Sequence, residues 1–100
     1  MGTIRFADCN CTVERHRYQN GRVALQLVTH DDGFPEPVAT ATVNIPEWDL
    51  EADEVIIKDY SENQGILDAL IGARVVHPPE RRGQFNYTPV AICRLVQPGT

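Results

Sequence analysis

The sequence predicts an α+β fold in two layers: an antiparallel sheet of five to six strands, with one helix packed on one face. Three observations predict it. Short segments that alternate apolar and polar residues, bounded by Gly, Pro, Asn and Asp, fill the chain up to residue 57. A single stretch, Lys58 to Ile71, changes to a helical stripe. One more alternating segment follows it. At 100 residues the chain is expected to form one domain, 1–100, with a modest core.

Thr3 to Ala7 alternates, with Ile4 and Phe6 on one face, and Asp8-Cys9-Asn10 reads as a turn. Cys11 to Tyr18 returns beside it, which makes an N-terminal hairpin. Asn20-Gly21 is the strongest hairpin dipeptide in the chain and leads into a strand over Arg22 to His30, with Val23, Leu25 and Leu27 inward. Asp31 to Pro37 is a second turn, rich in Asp, Gly and Pro. Val38 to Ile45 is the next strand, ended by Pro46. Glu47 to Glu54 holds five acids in eight residues and reads as an acidic loop pinned by Trp48 or Leu50. Glu54 to Lys58 is apolar on both faces and therefore central.

Ser61 and Gln64 have the spacing of a capping box, Glu62 suits the positive end of the helix dipole, and Ile66, Leu67, Leu70 and Ile71 form the buried stripe. Gly65 then lies inside the helix, either tolerated there or answering a close approach, and Gly72 ends it. Val75 to His77 is a further short strand, Pro78 to Gln84 a basic loop held extended by two prolines, Thr88 to Leu95 the last strand, and Gln97 to Thr100 a frayed tail.

Charge is segregated. Residues 1–30 carry a net +2, residues 31–68 a net −10, and residues 69–100 a net +3. A dipolar surface of this kind argues against direct nucleic-acid binding, which needs a basic footprint. It suits an acidic face offered to a basic partner. The start Met1-Gly2-Thr3-Ile4-Arg5 lacks the pattern of a signal peptide and no apolar run approaches the ~20 residues of a membrane span, so a cytoplasmic protein is expected.

No catalytic set is found: no phosphate loop, nucleophile elbow, zinc-protease helix or calcium loop. The carboxylates around Asp49 and Glu51 lack the cleft a glycosidase needs. His16, His30 and His77 sit beside turns or strand ends. A zinc site would draw on Cys9, Cys11, Cys93 and one histidine, but C-x-C is not knuckle spacing. The simpler reading makes Cys93 a small core residue and has Cys9 and Cys11 flank a turn. The expectation is a non-enzyme with no cofactor.

Val55 to Gly65, V-I-I-K-D-Y-S-E-N-Q-G, resembles the I-K-D-Y/W-S-E-N-E-G signature of a family of small proteins of unassigned activity. These are encoded by bacteriophages, plasmids and integrated mobile elements. The likeness extends through Ala41 to Pro46 and over Asn20 to Leu27, with Gln64 where the signature has Glu. The resemblance implies an inhibitor of host defence, of the anti-CRISPR kind, that binds a basic surface of a defence complex such as a CRISPR effector. The expected partner-binding residues are Trp48, Asp49, Glu51, Asp53, Glu54, Asp59, Tyr60 and Glu62. Reversing Asp53 and Glu54 to Lys is expected to abolish binding and leave the fold intact. The alternative is an accessory or self-associating interaction module of a mobile element, monomeric or homodimeric. In either case Lys58 to Asn63 also reads as a strand-to-helix corner, with Asp59 and Asn63 satisfying backbone groups and Tyr60 covering the core edge.

Overall fold

The computed structural model describes residues 3–30 and 33–96, with Glu62 described by its backbone. Met1-Gly2, the Asp31-Asp32 half of the turn and the tail Gln97 to Thr100 lie outside the described residues. The fold is mostly β and entirely antiparallel. Its strands are β1 (Thr3–Phe6), β2 (Cys9–Arg17), β3 (Val23–Thr29), β4 (Glu36–Thr40), β5 (Glu54–Ile57), β6 (Arg81–Phe85) and β7 (Thr88–Arg94). A 3-10 turn (Ser61–Asn63) and one helix, α1 (Ile66–Gly72), fall between β5 and β6. The described residues thus form seven strands, in two sheets rather than one: β1-β2-β3-β4 and β5-β7-β6.

Turn residues explain the β2–β3 hairpin and not the β1–β2 and β6–β7 hairpins: Ala7 and Tyr87 adopt a positive φ that such residues rarely take, and the turn expected at Asp8-Cys9-Asn10 falls instead at Ala7-Asp8, with Cys9 and Asn10 already in β2. β1 and β2 meet through Ala7-Asp8, both at positive φ, and pair Phe6 with Cys9. β2 and β3 join through Gln19-Asn20-Gly21, with Gly21 at φ 85 supplying the left-handed residue of a three-residue loop. β6 and β7 join through Asn86-Tyr87, again both at positive φ.

The alternation expected from Val38 to Ile45 is present, but the chain changes sheets partway along it. β4 leaves its sheet after Thr40. The Ala41 N–H donates to the Leu25 carbonyl at 2.8 Å, and the Ala41 carbonyl accepts from the Lys58 N–H at 2.8 Å. Thr42 then bridges Ile57, and the Val43 N–H donates to Ile56. The buried Thr42 hydroxyl accepts from the Leu25 N–H and bonds the Tyr18 hydroxyl. A sheet switch preserves the side-chain period of two, so alternation alone does not reveal it.

The main core lies between the two sheets and under α1. Ile4, Phe6, Cys11, Val13, Leu25 and Leu27 face Val55, Ile57, Ala91, Cys93 and Leu95, with Ile66, Leu67 and Leu70 among them. On the other side of the three-stranded sheet, Ile45, Ile56, Val90 and Ile92 form a second cluster, covered by Trp48, Leu50, Tyr60 and Phe85. All four residues of β5 are buried, but the strand is not central as expected: β7 is, and β5 ends its sheet, its outer side covered by the Thr42 bridge and the Val43 N–H. The segment read as a basic loop becomes β6, and Val75 to His77 contributes one bridge, Val76 to Leu95.

The helix is shorter than its sequence pattern, about two turns. Ser61 does not cap it: it opens the 3-10 turn at φ 53 and makes no capping bond. Asp59 does that work, its Oδ1 accepting from the N–H groups of Gly65 at 3.0 Å and Leu67 at 3.1 Å. Gly65 precedes the helix at φ 92, and nothing approaches the place of a Cβ there, so backbone freedom and not crowding explains it. At the other end the Val75 N–H returns to Leu70 and the Arg74 N–H to Ile71, a Schellman motif with Arg74 in the left-handed position at φ 61. Gly72 is the last helical residue and lies inside that motif.

Candidate binding surface

The acidic segment is a braced lip on the second cluster. Trp48 and Leu50 turn inward onto Ile45, Ile56, Val90 and Ile92, as the sequence suggested. Their neighbours Glu47, Asp49 and Glu51 are exposed. From across the sheet junction Arg22 reaches the lip, donating through Nη1 to the Ile45 carbonyl at 2.7 Å and through Nη2 to the Trp48 carbonyl. The Trp48 ring lies over β6 so closely that a Cβ on Gly83 would sit 2.8 Å from its Cη2. Glu54, at the start of β5, fixes the far end: its buried Oε1 accepts from the Glu51 N–H and from Arg81 Nη2, both at 2.8 Å. Arg94 closes the rim, donating through Nη1 to Asp53 at 2.6 Å and through Nε to Glu80 at 2.7 Å. Its hydrogen bond to Glu80, and the Asp53 charge after it, raise the guanidinium pKa above its ordinary value.

Beside the lip is an open cavity of about 470 Å³, lined by Asp49, Leu50, Glu51, Glu54, Arg81 and Arg94 together with Glu80. Arg81 and Arg94 answer Glu54 and Glu80, while Asp49 and Glu51 stay unpaired, so the lining keeps a net charge of −2 and these two carboxylates do border a hollow that the sequence did not lead one to expect.

The expected site residues therefore separate into distinct roles. Asp49 and Glu51 are exposed, and their carboxylates make no hydrogen bond or ion pair among the described residues. Asp53 is paired with Arg94 and Glu54 is buried under Arg81, so charge reversal at these two positions would break two ion pairs of the fold as well as alter the surface. Trp48 is half-buried packing and not a free anchor. Asp59 caps α1, and Asn63, buried at the corner, donates through Nδ2 to the Thr40 carbonyl at 2.8 Å. Tyr60 covers the second cluster, with the Lys58 ammonium 5.5 Å from its ring centroid. The side chain of Glu62 is outside the description. Glu47 was not among the expected residues, yet its alternation with Trp48 and Leu50 puts it in the same outward row as Asp49 and Glu51.

Cys93 is buried on β7, where desolvation pushes its thiol up to about 11 against a smaller opposing effect of Arg82. Cys11 is buried on β2, and Cys9 opens that strand. Among the described residues no helix is long and apolar enough to cross a membrane. No known protein family, curated protein or solved structure matches the chain.

Proposed function

We propose that the protein is a non-catalytic inhibitor acting in the bacterial cytoplasm. It sets an acidic row on the basic surface of a host defence complex, a CRISPR effector, and so blocks nucleic-acid access. The observation that carries this reading is the row itself. Glu47, Asp49 and Glu51 stand outward, without partners among the described residues, on a backbone held by Trp48, Leu50, Arg22 and Glu54. A backbone held before binding loses little further freedom on association. The carboxylates also steer the approach to a positive surface and exclude negative competitors. Effectors of this type hold nucleic acid in positively charged channels, and the sequence resemblance supplies the genetic setting.

The test is capture of a purified effector by the tagged protein at low and high salt, with Glu47, Asp49 and Glu51 together reversed to Lys as the comparison. Capture should be strong at about 0.1 M salt, where the screening length is ~10 Å, and be lost near 1 M, where it falls to ~3 Å. The triple reversal should abolish it while the unfolding midpoint stays unchanged. Capture indifferent to both salt and reversal removes the reading.

The second reading, a self-associating module, is favoured by two aromatic side chains left in water, Phe34 at 74% and Tyr87 at 98% exposure. A homodimer that persists in high salt by sedimentation would select it.

A further inference from the structure

We propose that the free edge of β6 is a docking site for an extended acidic segment of a partner protein, added to the sheet as a further strand. Among the described residues β6 is last in its sheet and pairs only with β7. The Asn86-Tyr87 turn closes on the Phe85–Thr88 pair, so ladder bonds fall at Phe85, Gly83 and Arg81. The backbone N–H and C=O of Arg82 and Gln84 therefore face the open side. No other segment among the described residues hydrogen-bonds to them.

Edges are usually blunted by proline, a bulge, shortness or charged side chains. β1 has only four residues, and β4 carries Pro37 beside a register shift. β6 has five residues, no proline and an unbroken register from Arg81 to Phe85, and its one blunting device is the pair Arg81-Arg82, which repels a basic strand and admits an acidic one.

Charge selects the occupant. Arg81 is engaged by Glu54, but Arg82 is exposed and makes no hydrogen bond or ion pair among the described residues. β6 itself contains no acid. A strand laid along this edge gains main-chain bonds at Arg82 and Gln84, and a carboxylate on it beside Arg82 gains a charge-assisted one. A second copy fits less well. Antiparallel self-pairing centred on Gly83 makes the two Arg82 side chains diagonal neighbours on one face, and centring on Arg82 puts them directly opposite. The inference is independent of the acidic lip.

The test is a titration of the isotope-labelled protein with a short end-blocked peptide of alternating valine and glutamate, followed by amide NMR, with a valine–lysine peptide as control. The amide signals of Arg82 and Gln84 should move and gain exchange protection, and the lysine peptide should leave them unchanged. Arg82→Glu, at an exposed side chain, should keep the fold and weaken binding at least about tenfold. Gln84→Pro removes one outward N–H without touching the charge and should weaken binding comparably. Shifts absent from β6, equal binding of the lysine peptide, or binding unaffected by Arg82→Glu overturn the proposal. So does protection of these amides by rising protein concentration alone, which would assign the edge to a second copy.

Discussion

The Glu54–Arg81 pair makes a prediction whose order runs against intuition: removing the arginine should cost more than removing the carboxylate. The Glu54 side chain is 4% exposed and that of Arg81 51%. Arg81→Ala leaves a carboxylate almost wholly out of water without its counter-charge. Breaking a fully buried pair costs roughly 3–5 kcal/mol, and the low end, about 3 kcal/mol, applies because half of the arginine was already hydrated. Glu54→Ala strands the guanidinium and the Glu51 N–H, but both belong to exposed residues and recover water. The loss is then two charge-assisted hydrogen bonds at about 1.5 kcal/mol or more each, offset by the desolvation of a carboxylate that is no longer buried, which leaves about 2 kcal/mol. The double variant leaves no buried charge and should also cost about 2 kcal/mol, well short of the sum. For a domain of this size the single losses correspond to falls in Tm of about 15 °C and about 10 °C. Urea unfolding followed by the fluorescence of Trp48, the one tryptophan, reports on this corner directly. An Arg81→Ala variant no less stable than Glu54→Ala, or additive losses in the double variant, would refute the reasoning.

Three further outcomes are expected. Gly83→Ala should push the Trp48 ring off β6, shift its emission to the red and cost about 1–3 kcal/mol, measured in the same unfolding assay. Arg74→Gly should stabilise the protein by about 1 kcal/mol, because glycine takes the left-handed position after α1 without a Cβ penalty; no gain in urea midpoint would contradict the Schellman assignment. Of the three thiols Cys9 should react first with a thiol reagent in the native protein, with buried Cys11 and Cys93 reacting only on unfolding. Because burial raises the Cys93 pKa from 9.0 to about 11, the unfolded chain releases this proton first. That contribution is therefore whole below pH 9.0 and lost as pH rises to about 11, so Cys93→Ala should flatten the fall in stability over this window.

How legible each feature was depended on how far away its cause lies. The β2–β3 hairpin, the burial of β5 and the inward Trp48 and Leu50 follow from alternation and turn residues within a few positions, whereas the β6–β7 hairpin does not, because Arg81 to Gln84 reads as a basic loop and its Asn86-Tyr87 turn carries no glycine. The helix ends did not follow from local spacing. Asp59 caps from outside the usual capping window, across a 3-10 turn, and Arg74 occupies a place that glycine normally marks. The second sheet was hidden because the alternation from Val38 to Ile45 reads the same whichever sheet the residues join. Within the site, Glu47, Asp49 and Glu51 keep the exposure their charge suggests. Asp53 and Glu54 do not, since their partners Arg94 and Arg81 lie 41 and 27 residues away and only the fold brings them near. A run of five acids in sequence thus overstates the acidic surface, since Glu47, Asp49 and Glu51 stay outward while Asp53 and Glu54 are taken up by arginines.

The Ala41 peptides have a consequence for how the molecule comes apart. One residue donates to the first sheet and accepts from the second, and the buried Thr42 hydroxyl beside it holds Leu25 and Tyr18. Opening the gap between the sheets means breaking these bonds in a place water does not reach. The two sheets should accordingly open as one cooperative unit, with no half-open species in between. Deuterium should enter at Ala41, Val43 and Lys58 only at the rate of global unfolding, while the lip above them exchanges on its own faster clock.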